Sequence, residues 1–445
     1  MKGGLAAAIT IVLMLASGEG LLLLVGGRRA AGGIAARLAA AFGLGVALIA
    51  TWSLLLAIAG AHASSLLLAA PVLLYPAGRL RAGGSGAALR IAVPRIRPGA
   101  AAAAAYALVA VHVVYVFRHA LLRPIHGWDA WRIWSFRAKV IAAEGGFPAD
   151  FFAGDWAGFP GYPLGIPFVE AFIARAIGYW HEPMIKSIFP LFYVGVVALA
   201  AVLLRASAGR RAVPAGIAVI ASMPLLVHHG TVAYMDLPLA FFLLAAATHL
   251  VLWEKEGREA NLLIAAAHAG FLAQVKNEGL PLLLLVTAVY LWRARRAGTL
   301  RRTWPRWFAP LLFFSLPWLL FKYGAGVPES PYHLFAPPGP AALAGRLLDF
   351  IRLTLAGLFL NGSWGIAPFA LLPLLVPGAR GRAGTPALLF GGGLLLFGAA
   401  YCLTGSHDFL MNGTALGRNL LVLMPLGAAA GVASLFPEPS GGPRV

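Results

Sequence analysis

The chain has 445 residues, 60% of them hydrophobic and 11% charged, with a formal net charge of +19 and a mean hydropathy of +0.81. Soluble domains carry about 25% charged residues, so this composition excludes a water-soluble globule and predicts an all-α polytopic integral membrane protein. The single cysteine, Cys402, excludes an internal disulfide and any cysteine-cluster metal site. The positive charge does not point to nucleic acid. Arg28, Arg29 and Arg37, Arg79 to Arg97, Arg205 to Arg211, Arg293 to Arg306, and Arg380 with Arg382 form short clusters between apolar runs. The positive-inside rule produces that distribution in cytoplasmic loops.

Residues 5–26 make the first span. Lys2 followed by an apolar run would suit a signal peptide, but the run is long and meets Arg28-Arg29, which predicts an uncleaved helix. Residues 39–77 read as a tight helical pair, the cluster 79–97 as an inner loop, and 100–117 as a span running outward. Residues 118–163 are the longest weakly apolar segment and fall outside. Both 164–180 and 185–204 cannot cross if Arg205, Arg210 and Arg211 are to be inside. Glu170 and Arg175 decide between them, because a charge at a helix centre costs roughly 2.5–3.5 kcal/mol. Residues 164–180 are therefore expected on or dipping into the outer face, and 185–204 across the membrane.

Residues 213–229 go outward and 237–253 return to an inner "EKEGRE" loop. The run 261–292 is short for two full crossings of about 20 residues each. Its charges, Lys276 and Glu278, fall in "KNEG" beside Gly279 and Pro281, which predicts two short helices meeting at the outer side. Residues 307–322 go out to a Pro-rich loop, an amphipathic piece surrounds Asp349 and Arg352, 364–377 goes in, 385–403 goes out and 416–435 returns. The count is about 11–13 transmembrane helices, plus interfacial helices in the outer loop 118–184.

The acids are scarce, 16 in all, and most that lie outside the "EKEGRE" loop fall on the expected outer face: Asp129, Glu144, Asp150, Asp155, Glu182, Asp236, Glu278, Glu329 and Asp408. Outer loops need some polarity, but such a gathering also suggests a site there. In "HGWDAWRIWSFRAKV", a helix over 128–144 would put Asp129, Arg132, Phe136 and Lys139 on one stripe, with Trp131 and Trp134 on the neighbouring face as interfacial anchors. Asp129 could equally serve as a helix-start anion paired with Arg132. Asp236, in "HHGTVAYMDLPLAFF", suits a helix N-cap or a site at the outer mouth of a span. His228 and His229 read as interfacial residues or metal ligands. Lys276 and Glu278 at membrane depth are costly, hence a functional hypothesis, and at i, i+2 they do not share a helix face. Arg418 opens the last span and is available to an anion, or snorkels.

Taken in order, these pieces resemble the GT-C superfamily of polytopic glycosyltransferases, in the branch of the protein O-mannosyltransferases and aminoarabinose transferases. The resemblance rests on Asp129 in the first outer loop, "GYPLGIPFVEAF", "YMDLPLAFF", "KNEG" and "GRNLLVLMP", and covers residues 100–435. It makes 1–98 an accessory set of helices and 99–445 the catalytic domain. Asp129 is followed by Ala130 where members often carry two adjacent acids, and Gly161-Tyr162-Pro163 replaces a His-Pro-Pro lead.

The resemblance implies transfer of a sugar from a polyprenyl-phosphate donor to an acceptor hydroxyl on a lipid, glycan or protein. The setting would be the extracytoplasmic side of a plasma membrane, the inner membrane in a bacterium. Asp129 would take the acceptor proton, and Lys276, Arg418, Lys139 and Arg132 would hold the leaving phosphate. Asp236 would support the acceptor or share a divalent cation, Mg²⁺ or Mn²⁺, with Asp129, while Glu278, Trp131, Trp134, Tyr162 and His229 would support the site. A secondary transporter or lipid-linked glycan flippase is the alternative. If the enzyme reading holds, Asp129, Asp236 and Lys276 should border one outward-opening cavity.

Overall fold

The computed structural model describes residues 2–26, 33–62, 64–83, 99–148, 150–153, 159–330, 332, 334–376 and 379–436. Arg28, Arg29, Arg90, Arg95, Arg97 and Asp155 lie outside the described residues, as do the side chains of Arg380 and Arg382. Among the described residues the protein is built from helices, with one isolated bridge, between Phe335 and Thr404, as its sole extended pairing.

Among the described residues seven helices are long and apolar enough to cross a membrane: Gly3–Gly26, Ile34–Ile58, Ala100–Leu122, Glu182–Ala208, Asp236–Glu256, Gly384–Leu403 and Leu416–Ser434. The protein is a multi-pass membrane protein. The expected span 307–322 lies within the unbroken helix Leu300–Gly324, whereas several other segments expected to cross are shorter or broken. The second limb of the 39–77 pair divides into Ser65–Leu68, Ala70–Leu73 and Leu74–Arg81, with Pro71 at the first break. The outward limb at 213–229 divides at Ser222, where Pro224 starts a second short helix. Residues Ala367–Leu375 form a 3-10 stretch, which at about 2 Å per residue is too short to cross alone. It lies against the last helix, where Gly431 lets the Ala370 carbonyl come within contact of the backbone.

The charge pattern is borne by the two ends of the bundle. Arg79 and Arg81, Arg205, Lys255 and Arg293, Arg295 and Arg296 all stand in last turns of helices at one end. There Arg293 pairs with Glu254 at 3.4 Å and Arg306 with Glu259 at 2.8 Å. The helices Glu259–Val275 and Gly279–Arg296 meet at the other end, at Lys276 to Glu278.

Gly165–Ile177 is not among the long apolar helices, as expected of a segment that does not cross, and it is packed inside the protein. Its residues Gly165 to Ala174 are buried, covered by the first two spans and by the Ser135–Glu144 helix. Glu170 is wholly buried and accepts a 3.0 Å hydrogen bond from the Ser135 hydroxyl. Burial pushes its carboxyl up to about 8, so it is held as a neutral acid, the form in which a carboxyl tolerates an apolar surrounding. The first two spans and the rest of the bundle share one continuous apolar core.

Candidate functional site

Asp129 ends a short loop whose shape is fixed from behind. The Ile125 amide donates to the Glu182 carboxylate at 2.9 Å, and buried Lys186 donates to the carbonyls of Pro124 at 2.9 Å and Thr231 at 3.2 Å. Gly127 turns the chain at φ +91°, and a side chain there would collide with the Tyr234 hydroxyl. Only glycine serves such a position without strain.

The helix after Asp129 begins with a single π turn, Ala130–Trp134, which inserts an extra residue per turn. This overturns the expected stripe. Arg132 is half-buried and Lys139 exposed, and neither lines the cavity described below. Arg137 is buried in their place, its guanidinium donating to the carbonyls of Phe159 and Tyr162. Of the two expected anchors Trp131 is exposed, but Trp134 is fully buried and stacks on Tyr162 at 5.1 Å. Tyr162 is sandwiched against Phe159 on its other face, also at 5.1 Å. Burial, followed by the Glu278 carboxylate, holds its phenol above the ordinary value, so it remains a hydroxyl.

Four segments far apart in sequence converge on Asp236. Its carboxylate sits in the first turn of Asp236–Glu256 and is wholly buried. It makes no cap hydrogen bond; Oδ1 instead accepts from Lys276 Nζ at 2.9 Å and Oδ2 from Arg418 Nε at 3.0 Å. Arg418 reaches on to Asp129 Oδ2 at 2.6 Å and lies over the Tyr234 ring. Lys276 also pairs with Glu278 at 2.7 Å. The i, i+2 objection to that pair lapses because Lys276 is not helical: its backbone is extended, φ −157° and ψ 158°, between two helices. His229 lies behind the cluster with Nδ1 3.8 Å from Asp236, too far for a hydrogen bond. It is buried there and walls the cluster from behind.

A cavity of about 630 Å³ opens over this cluster. Asp129, Tyr162, Lys276, Glu278 and Arg418 line it; Asp236 does not, standing one layer behind and holding the two cations in place. The cavity also takes in the buried Lys322, paired with Glu329, and Asn419, which donates to the Tyr401 hydroxyl at 2.8 Å. Glu329 was among the acids expected on the outer face, but sequence reasoning missed Lys322, Asn419 and Tyr401. A lysine at the outer end of an apolar helix was a signal for Lys322, whereas Asn419 and Tyr401 carry none that distinguishes them from ordinary helix residues.

The donor set disfavours a divalent cation shared by Asp129 and Asp236. The Arg418 guanidinium bonds both carboxylates, Asp236 has each oxygen occupied by a cation, and among the described residues no three His, Cys, Asp or Glu side chains converge as a metal site.

Two solved structures of ArnT from Cupriavidus metallidurans share this architecture. The form bound to undecaprenyl phosphate matches with a TM-score of 0.56 at 17% identity, and the apo form with 0.53 at 18%. The chain has the fold of these two ArnT structures. Each match covers 75% of this chain and 60% of ArnT, and at such identity it is the helical architecture that is shared. Neither a protein-family model nor a curated protein sequence matches the chain.

Proposed function

We propose that the protein is a membrane glycosyltransferase that moves a sugar from a polyprenyl-phosphate donor to an acceptor hydroxyl on the extracytoplasmic side. One observation carries the reading: a carboxylate, Asp129, and two cations, Arg418 and Lys276, line one cavity while a fully buried carboxylate tethers both cations. The GT-C fold and the undecaprenyl phosphate in one ArnT structure agree with it. Asp129, Asp236, Glu278 and Glu329 gather at the end away from the basic clusters, which supports the sidedness.

The chemistry follows from the donors left over. With Oδ2 of Asp129 held by Arg418, Oδ1 receives the acceptor hydroxyl proton as the acceptor oxygen bonds the anomeric carbon. The bond from that carbon to the phosphate oxygen breaks, and the electron pair leaves with the polyprenyl phosphate. A guanidinium has five N–H groups and an ammonium three. Those of Arg418 and Lys276 not spent on Asp129, Asp236 and Glu278 meet the charge growing on the phosphate. Single displacement would invert the anomeric centre. No step passes through a metal.

The test is turnover of purified protein in nanodiscs with a panel of polyprenyl-phosphate sugars and a membrane acceptor fraction. Asp129→Asn should lower turnover by about 10²-fold or more. Sustained turnover by that variant would remove the base role. Failure with every donor, together with substrate translocation in proteoliposomes, would favour the transporter.

A further inference from the structure

A second cavity, of about 560 Å³, opens at the same end of the bundle and has no part in the reaction above. His112, Tyr115 and His119 recur at i, i+3 and i+7 along Ala100–Leu122, hence on one helix face, and they form one wall. Arg123 and His126 follow on the loop, and His228 comes from the short helix Pro224–His229. The rings of His119 and His126 lie 6.2 Å apart. His119 Nδ1 is buried without a hydrogen-bond partner. Lys186 stands behind the wall, its ammonium on the carbonyls of Pro124 and Thr231.

Imidazoles and a guanidinium line this cavity, and no aspartate or glutamate does. Histidines often mean a metal, but among the described residues none of these groups converges as a metal site. A neutral imidazole keeps one N–H donor, and arginine is a permanent cation with a donor fork matched to phosphate. The lining is therefore complementary to an anion with several acceptor oxygens.

The helix that carries it also points to the source of the anion. Within Ala100–Leu122 only Val116 and Ala120 are buried, so its flank faces the bilayer, with Arg123 just past its outer end. An acyl chain could lie along that flank while its headgroup enters the cavity. The cavity also backs onto the reaction site: His126 precedes Asp129 by three residues, and His228 is joined to His229.

We propose that this cavity binds the phosphate of an anionic membrane-lipid headgroup, with Arg123 as its ion-pair partner and His119, His126 and His228 as hydrogen-bond donors. The assignment stands whether or not the transferase reading does.

Titration calorimetry on the full-length protein in dodecyl maltoside tests it, with dihexanoyl phosphatidate, inorganic phosphate and dihexanoylglycerol as probes. Phosphatidate should bind and dihexanoylglycerol should not. Arg123→Gln and the double variant His119→Gln/His126→Gln should each weaken phosphatidate by about tenfold or more, the worth of a charge-assisted hydrogen bond. Arg205→Gln, exposed at the opposite end, should leave binding unchanged. Inorganic phosphate binding as tightly as phosphatidate would overturn the lipid assignment. Absence of binding, or binding indifferent to Arg123 and the histidines, would overturn the site. Should the variants misfold, phosphatidate must still protect His119 and His126 of the unaltered protein from diethylpyrocarbonate. Equal modification with and without it would refute the proposal.

Discussion

Replacing Asp236 by leucine should disturb this protein more than losing any carboxylate that touches the cavity. Asp236 is wholly buried and holds Lys276 at 2.9 Å and Arg418 at 3.0 Å. Its removal leaves two cations facing each other across a hole. Taking one partner from a buried ion pair costs about 3–5 kcal/mol, since the remaining charge has lost both water and counter-ion. Arg418 keeps Asp129 and Lys276 keeps Glu278, so the loss should fall within that range for the pair of contacts rather than doubling.

A second substitution separates this cause from simple loss of packing. Lys276→Met in the Asp236→Leu background removes the cation that the first change stranded. The double variant should therefore be less destabilised than the sum of the two single variants, by about 1–3 kcal/mol of coupling. Equilibrium unfolding in SDS, followed by tryptophan fluorescence, measures all three. Additivity of the two changes, or an Asp236→Leu variant within about 1 kcal/mol of the unaltered protein, would refute the reasoning.

Glu170→Gln should stabilise the protein above neutral pH. The Glu170 carboxyl is raised to about 8 in the fold against an unfolded value near 4.3. Between those values the native state alone holds the proton, so its contribution to stability is whole below about pH 4 and falls as pH rises through 8. The glutamine lacks this loss, and SDS unfolding at pH 5 and pH 8 should show the variant gaining on the unaltered protein at the higher pH, by at most about 4 kcal/mol. An equal difference at both pH values would contradict it. Arg418→Lys should cut turnover by about 10²-fold with the fold retained, because a point ammonium cannot bridge Asp129 and Asp236 as the planar guanidinium does; initial rates beside circular dichroism decide. EDTA should leave the initial rate unchanged, since Arg418 occupies the space between the two carboxylates, and loss of activity restored by Mg²⁺ would show otherwise.

Hydrophobic runs and the positions of scarce charges are local properties, and the sequence by itself determined what depends on them. It placed the chain in a membrane, predicted the junction of two short helices at Lys276 to Glu278, and put the basic groups and Asp129, Asp236, Lys276 and Arg418 at opposite ends. Helical spacing failed at one step. A π turn over Ala130–Trp134 shifted every later residue around the axis, so Arg137 and Trp134 turned inward while Arg132 and Lys139 stayed away from the cavity. No periodicity argument anticipates an inserted residue.

Which charges meet was decided by the tertiary structure alone. Asp236 and Lys276 are separated by 40 residues, and Asp236 and Arg418 by 182. Packing of the bundle brings these helix ends together and buries one carboxylate beneath two cations. Each of those residues, read along the chain, has an ordinary role at a helix end. Their shared burial makes a site of them, because a charge removed from water must find its partners within the protein.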